Sequence, residues 1–287
     1  SEAQFQTEFE CEFLGSVDTL INASKIKTMP VATPIRSGGL DVYEMPISNH
    51  IYTMCVDVSR GLSNDYSAFV VLDVTQAPYK IVAKYRNNEI KPLVFPSVIE
   101  KVAKNYNNAF ILVEINDLGQ QVADNLQFEL EYDNMMMVTQ RGRSGQVLGG
   151  GFSGRGNQLG LRMTKGTKRI GTSNLKSLIE GDKLIINDFD IISELSTFIS
   201  KGKSFEAEAG ATDDLVMCLV IFSWLANQRY FKELTDVDVR GQMFADQKNA
   251  LEADMAPFGF IDNGIDDPSG RNNSFFDDAG VLWQPVS

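Results

Sequence analysis

Residues 213–230, DDLVMCLVIFSWLANQRY, constrain this chain more than any other stretch. Leu215, Met217, Cys218, Leu219, Val220, Ile221, Phe222, Trp224 and Leu225 make the segment apolar almost all round, so a helix here must be covered on every side. Its acids, Asp213 and Asp214, stand together at the start. Two other apolar runs also end on carboxylates: IYTMCVD on Asp57 and FILVE on Glu114. Carboxylates at two strand ends and one helix start converge only if the strands are neighbours and the helix packs over them. Such a cluster repels itself unless divalent cations sit in it. Two such cations would make a phosphodiester hydrolase.

The runs at 51–57, 68–73 and 80–85 are short and rich in Val, Ile, Phe or Tyr. RGLSNDYS and a turn at Ala77-Pro78 join them, which predicts an antiparallel meander. Pro96 opens a helix with Val98, Ile99, Val102 and Tyr106 on one face. Residues 109–114 read as a fully apolar strand. A helix over 117–132 follows, with Leu118, Val122, Leu126 and Leu130 at i,i+4 intervals, and 134–139 read as one more strand. This alternation is a crossover pattern, so the sheet is expected to continue with parallel strands. The fold class is α/β, a mixed sheet flanked by helices. A short helix capped by Ser173-Asn174 is expected at 173–180, strands or strand–helix mixtures at 184–186, 191–199 and 204–208, and a candidate helix at 241–255. Residues 31–50, with Pro34, Pro46 and Gly38-Gly39, read as a linker or wrapping arm.

His50 is the one histidine, and no CxxC is present. That excludes a His-based zinc site and a Ser-His-Asp hydrolase. Cys55 and Cys218 lie inside apolar runs and read as buried, reduced thiols of a cytosolic protein. No run reaches the roughly 18 to 20 apolar residues that span a bilayer, and the acidic opening lacks the basic start of a secretory signal.

The net charge of -12 argues against a nucleic-acid partner until its distribution is considered. Over 141–170 stand Arg141, Arg143, Arg155, Arg162, Lys165, Lys168 and Arg169, with no Asp or Glu and nine glycines. Over 231–287, eleven acids face four bases. Acidic surface elsewhere does not forbid a local positive track. The glycine spacings lack the strand-to-helix setting of a dinucleotide or P-loop site. Arginines on a flexible glycine backbone instead fit phosphate contacts that do not discriminate among bases. No long regular element is expected in this segment, beyond a β-ribbon around 159–163.

Each carboxylate also has a plainer reading. Asp57 can cap its loop, Asp73 can serve a turn, and Glu114 can sit on an exposed edge. Asn116 and Asp117 are expected to cap the following helix, and Thr212 or Asp213 to cap the next. A cap uses one carboxylate of the 213–214 pair and leaves the other facing the sheet. Asp65, in the loop after the first strand, can reach the same place. Together these are hard oxygen ligands suited to Mg²⁺ or Mn²⁺, with two ions expected when DNA is bound. A glycosidase needs only two carboxylates and has no use for the basic segment.

Four segments, IYTMCVDVSRGLSNDYSAFVVLDV, FILVEINDLGQQVADNL, the glycine- and arginine-rich block and ATDDLVMCLVIFSWL, together resemble the nuclease half of a tailed-bacteriophage terminase large subunit, that of T4-like phages above all. The resemblance covers about residues 45–230. It implies a ribonuclease-H-like fold and a metal-dependent acidic triad. By the same resemblance Asp57 matches the first-strand Asp, Glu114 the strand-end Glu, and Asp213-Asp214 the third position. Asp214 is favoured there as ligand and Asp213 as cap or second-ion ligand, with Asp65 as an associated acid. The implied activity is a divalent-metal-dependent endodeoxyribonuclease that cuts concatemeric double-stranded viral DNA with little sequence specificity, for headful packaging. The implied partners are DNA, the portal protein, the small terminase subunit and an N-terminal ATPase domain, at the prohead portal in the host cytoplasm. No GxxxxGK[ST] exists here, so no ATP hydrolysis is expected and the chain reads as a piece of a longer protein. Residues 1–45 would be the end of the ATPase domain and its linker, 46–232 the nuclease domain, and 233–287 an acidic C-terminal extension. A junction resolvase, an RNase H or a non-catalytic viral DNA-binding module are the competing readings.

Overall fold

Residues along the central strands alternate between two apolar environments, and that alternation sets the layers. The computed structural model describes residues 18–60, 65–141, 145–149, 157–202, 204–235, 275–276 and 282–283. In chain order, α1 (Ala23–Lys27) precedes β1 (Leu40–Val42), β2 (Tyr52–Asp57), β3 (Ser67–Asp73) and β4 (Tyr79–Asn87). Next come α2 (Phe95–Asn105), β5 (Phe110–Val113) and α3 (Gly119–Asp124), which continues as a π-helical turn, Asn125–Glu129. Then follow β6 (Met137–Arg141), β7 (Gly145–Gly149), β8 (Asn157–Leu159) and α4 (Lys165–Glu180). The series continues with β9 (Leu184–Ile185), α5 (Phe189–Thr197), β10 (Phe198–Lys201), β11 (Ser204–Ala207), α6 (Asp214–Ala226) and α7 (Arg229–Thr235). The chain divides into two units, Ser1–Arg240 and Gly241–Ser287. In the second, Phe275–Phe276 and Leu282–Trp283 pair antiparallel.

The main sheet runs β1-β4-β3-β2-β5, with β9 beside β4. The pairs β2/β3 and β3/β4 are antiparallel, and β2/β5 is parallel. This is the expected meander followed by a crossover. Cys55, Val70, Leu72 and Leu112 face one core with Leu175 and Ile179 of α4, Ile191 and Leu195 of α5, and Leu215 and Leu219 of α6. Met54, Val56, Phe69, Val71 and Val113 face the other, against Phe95, Ile99 and Val102 of α2 and Val122 of α3. A sheet covered on both faces needs strands that are apolar throughout, as these are. Leu20, Ile21 and Ile26 lie in the first core, and β1, within the stretch 31–50, is an edge strand beside β4. Among the described residues, no helix is long and apolar enough to cross a membrane.

Three expectations are corrected. The strand read at 134–139 does not extend the main sheet. Only an isolated parallel bridge, Ile111 to Met135, touches β5, and β6 then forms its own sheet with β7 and β8. The glycine-rich segment supplies both antiparallel partners, so β6 satisfies its backbone there. The same pairing gives 141–170 more regular structure than its glycines predict. Finally, α4 begins at Lys165 and not near Ser173, because the Thr164 side chain caps it by accepting the Thr167 N–H at 3.1 Å. The candidate helix at 241–255 falls outside the described residues.

Candidate functional site

Register alone brings two carboxylates together. Val56 pairs with Val113 across the parallel β2/β5 ladder, so Asp57 and Glu114 are the next positions along neighbouring strands. Cys55 and Leu112, two residues earlier on each strand, face the core that contains α6. Side chains two apart share a face, so Asp57 and Glu114 face α6 as well. The backbone of Glu114 is held on both sides: its N–H donates to Val56 O at 2.9 Å, and it bridges Leu161 in parallel. Gly119 makes the following turn possible, because a Cβ there would lie 1.7 Å from Glu114 O.

α6 brings the other two. Asp213 occupies its N-cap position and Asp214 begins it, yet the Asp213 side chain makes no capping hydrogen bond. The cap comes from α5, where Glu194 Oε2 accepts the Leu215 and Val216 N–H groups at 2.9 and 3.0 Å. The expected choice between cap and ligand therefore does not arise, and both aspartates are free to face the strand ends. Asp214 Oδ1 accepts the Tyr66 N–H at 3.2 Å, and Asp213 Oδ2 lies 3.8 Å from Lys168 Nζ.

The four groups feel one another. Burial raises the proton affinity of Asp57 well above that of a free carboxyl, and the charges of Glu114, Asp214 and Asp213 add to the rise. Glu114 is pushed up to about 7 by burial, which Lys168 partly offsets and Asp213 reinforces. Asp214 is raised to about 6 by burial, with the Tyr66 N–H opposing and Asp213 and Asp65 adding. Burial raises Asp213 too, against the pull of Lys168. Asp65 is exposed but near enough for its charge to act on Asp214. This donor set is all oxygen and carries more negative charge than one lysine offsets, which suits hard divalent cations.

Other assignments change. Asn116 and Asp117 do not cap α3. Asn116 clamps Met163 instead, accepting its N–H at 3.1 Å and donating to its carbonyl at 2.9 Å, while Asp117 pairs with Arg60 at 2.6 Å. That clamp brings the start of α4, and with it Lys168, beside Glu114. His50 pairs with Asp73 at 2.6 Å, at the opposite end of β2 from Asp57. Cys55 and Cys218 are buried free thiols, as expected.

Of the basic residues, Arg162, Lys165 and Arg169 are exposed and Lys168 is partly buried. Lys165, Lys168 and Arg169 line a cavity of about 660 Å³ together with Thr164, Lys201 and Glu206. Arg143, Arg155 and the Arg141 side chain lie outside the described residues.

Among the described residues, one trio of carboxylates has oxygens all within 4.8 Å of one another, and it lies elsewhere: Asp41, Asp188 and Asp190. Lys84 Nζ stands among them at 3.1, 2.8 and 2.5 Å, and the Tyr43 hydroxyl donates to Asp188. An ammonium group already fills that trio, which ties β1, β4 and α5 together. No three of the four site carboxylates have oxygens all within that distance of one another.

Residues 54–237 match the family described as the terminase RNaseH-like domain. The chain belongs to that family. Solved structures share the fold. The large terminase nuclease from thermophilic phage G20c with bound magnesium is 20% identical, with a TM-score of 0.56 over 72% of this chain and 97% of that one. The cobalt-bound form of the same nuclease matches equally. The large terminase nuclease domain of Thermus phage P74-26, 20% identical, has a TM-score of 0.50 over 69% of this chain and 91% of that one. This RNaseH-like domain carries Asp57, Glu114 and Asp213-Asp214 on the strand ends and helix start described above.

Proposed function

We propose that this terminase domain is a divalent-metal-dependent endonuclease that cuts double-stranded viral DNA with little sequence specificity. One observation carries the reading: carboxylates from β2, from the end of β5 and from the first turn of α6 converge, partly buried, with raised proton affinities and Lys168 nearby. Two bound cations, Mg²⁺ or Mn²⁺, would supply the activated water and stabilise the leaving oxygen. The magnesium and cobalt forms of the G20c nuclease support that choice of cation class.

Asp57 acts as the central ligand, because its charge is felt with those of Glu114, Asp213 and Asp214. Asp214 is the favoured third ligand. The Tyr66 N–H fixes one of its oxygens and leaves the other to the site. Asp213, tethered to Lys168, serves a second ion, and Asp65 adds charge at the rim. Arg141, Arg143, Arg155, Arg162, Lys165, Lys168 and Arg169 hold the DNA backbone beside these carboxylates.

The T4-like lineage, headful packaging, and action at the prohead portal in the host cytoplasm with portal protein, small terminase subunit and a preceding ATPase domain belong to the same proposal. They rest on the sequence resemblance, as does the division at 1–45, 46–232 and 233–287. In millimolar Mg²⁺ or Mn²⁺ the chain is expected to nick and linearise plasmid, and both Asp57→Ala and Glu114→Ala to abolish this. Undiminished nicking by both variants overturns the proposal. Stronger cutting of branched DNA or of an RNA–DNA hybrid than of linear duplex would reassign it within the fold.

A further inference from the structure

We propose that Arg86 and Glu194 are positioning residues for the carboxylates of α6: they fix the first turn of that helix, and so the placement of Asp213 and Asp214 over the strand ends. The inference rests on the reading of those carboxylates as a cation site. A helix start that presents two functional aspartates still has orphan amides to satisfy. A local cap by Asp213 would withdraw its carboxylate from the site. The structure solves this from outside the helix. Glu194, on α5 and only 4% exposed, accepts the Leu215 and Val216 amides through Oε2. Through Oε1 it accepts Thr212 Oγ1 at 3.2 Å and Arg86 Nη1 at 3.0 Å.

Arg86 acts on the same turn by a second route. Its guanidinium lies 4.6 Å from the centroid of the Tyr66 ring, and the Tyr66 N–H is the donor that holds Asp214. One guanidinium on β4 thus touches the capping carboxylate and the ring of the residue whose peptide N–H holds Asp214. α5 is in turn anchored to the sheet. Lys84, two residues earlier on β4, pairs with Asp188 and Asp190 where α5 starts, and Arg86 pairs with Glu194 one helical turn beyond Asp190. Asp190 and Glu194, at i,i+4, present one face of α5 to two cations of one strand. Neither Arg86 nor Glu194 belongs to the candidate ligands. Their effect passes through backbone that the ligands share.

The test uses the full 287-residue chain. Glu194→Leu, Glu194→Gln, Arg86→Met and Arg86→Lys are compared with wild type and Asp57→Asn. The measurements are Mn²⁺ binding to metal-free protein by electron paramagnetic resonance, plasmid nicking against Mn²⁺ concentration, and thermal melting. Glu194→Leu and Arg86→Met are expected to bind Mn²⁺ about tenfold more weakly and to need correspondingly more for half-maximal nicking. Glu194→Gln keeps an oxygen for the two amides and is expected to fall between Glu194→Leu and wild type at a temperature where the melting curves show every variant fully folded, so that lowered stability does not account for the order. Should Glu194→Leu fail to fold, Glu194→Gln and Arg86→Lys decide in the same way. Wild-type Mn²⁺ affinity and nicking curves in the folded variants overturn the proposal, whatever their melting temperatures. Nicking by Asp57→Asn at the wild-type rate overturns the nuclease reading alone, because the Mn²⁺ affinities still judge the positioning. Absence of Mn²⁺ binding by the wild type overturns both.

Discussion

Glu114 and Asp214 hold their protons into the neutral range, at about 7 and about 6, while free carboxyls of their kinds titrate at 4.5 and 3.8. The difference links the site to stability. Well below pH 4 both folded and unfolded chains are protonated at these positions, and the contribution is fully present. As pH rises through 6 and 7 the folded state must give up protons that the unfolded state has already lost, so this contribution falls. Glu114→Gln mimics the protonated form at every pH. Its metal-free melting temperature is expected to match that of wild type below pH 4 and to exceed it near pH 8, with Mn²⁺ closing the gap by stabilising only the wild type. A variant that melts below wild type at pH 8 without metal would show that the Glu114 charge is not strained. Among the described residues, Lys168 lowers the proton affinity of Glu114. Lys168→Met should therefore move the rise of nicking with pH to higher pH at fixed Mn²⁺. A role confined to phosphate contact would change affinity and leave that rise in place.

At the scale of elements, α6 is set by two supports that differ from the helix itself in how plainly the chain announces them. The burial of α6 on every side is written in Leu215 to Leu225, and the strand ends on Asp57 and Glu114 are visible as apolar runs that stop on acids. Those features suffice to place three site positions on one face. The supports are not legible. Glu194 reads as an ordinary helix acid, and nothing local tells that it caps a helix twenty residues later, since capping across elements leaves no fixed spacing. Arg86 at the end of β4 is equally silent. The start of α4 is obscured by its glycines, Gly166 and Gly171, which lower helix propensity. Gly171 has a packing reason: a Cβ there would meet Val220 O at 2.5 Å and Val220 Cγ1 at 2.8 Å, so α4 and α6 touch backbone to backbone. Gly171→Ala should force them apart and cost about 1–3 kcal/mol in urea unfolding. At Gly166 the nearest heavy atom to an added Cβ is Thr164 Oγ1 at 3.7 Å, so Gly166→Ala should be neutral or stabilise by up to about 1 kcal/mol. Equal losses of stability at the two positions would remove close helix packing as the cause.

For the whole molecule, the question is how a chain of net charge -12 would hold the polyanion that the proposed function requires. The charge is segregated: the acids of 231–287 are remote in sequence from the basic run, and that run leads into α4, whose first two turns carry Lys165, Lys168 and Arg169. The Asn116–Met163 clamp ties this entry to the end of the Glu114 strand. Local positive potential and the carboxylate site are thereby joined by backbone geometry, and the overall sign of the protein matters little at close range, because salt screens charges more than about 8 Å away at physiological ionic strength. Short-range binding of this kind is read by its salt dependence. Each phosphate that a cation neutralises releases condensed counterions, so the slope of log affinity against log salt reports how many phosphates are engaged. Replacing Arg162, Lys165 and Arg169 together by Gln should weaken binding to a duplex in Ca²⁺ uniformly across sequences and flatten that slope by up to about one unit for each phosphate no longer neutralised. The same substitution in Lys176 and Lys183, outside this entry, should leave the slope unchanged. A triple variant with the wild-type slope would take the start of α4 off the DNA path, leaving the DNA backbone to Arg141, Arg143 and Arg155.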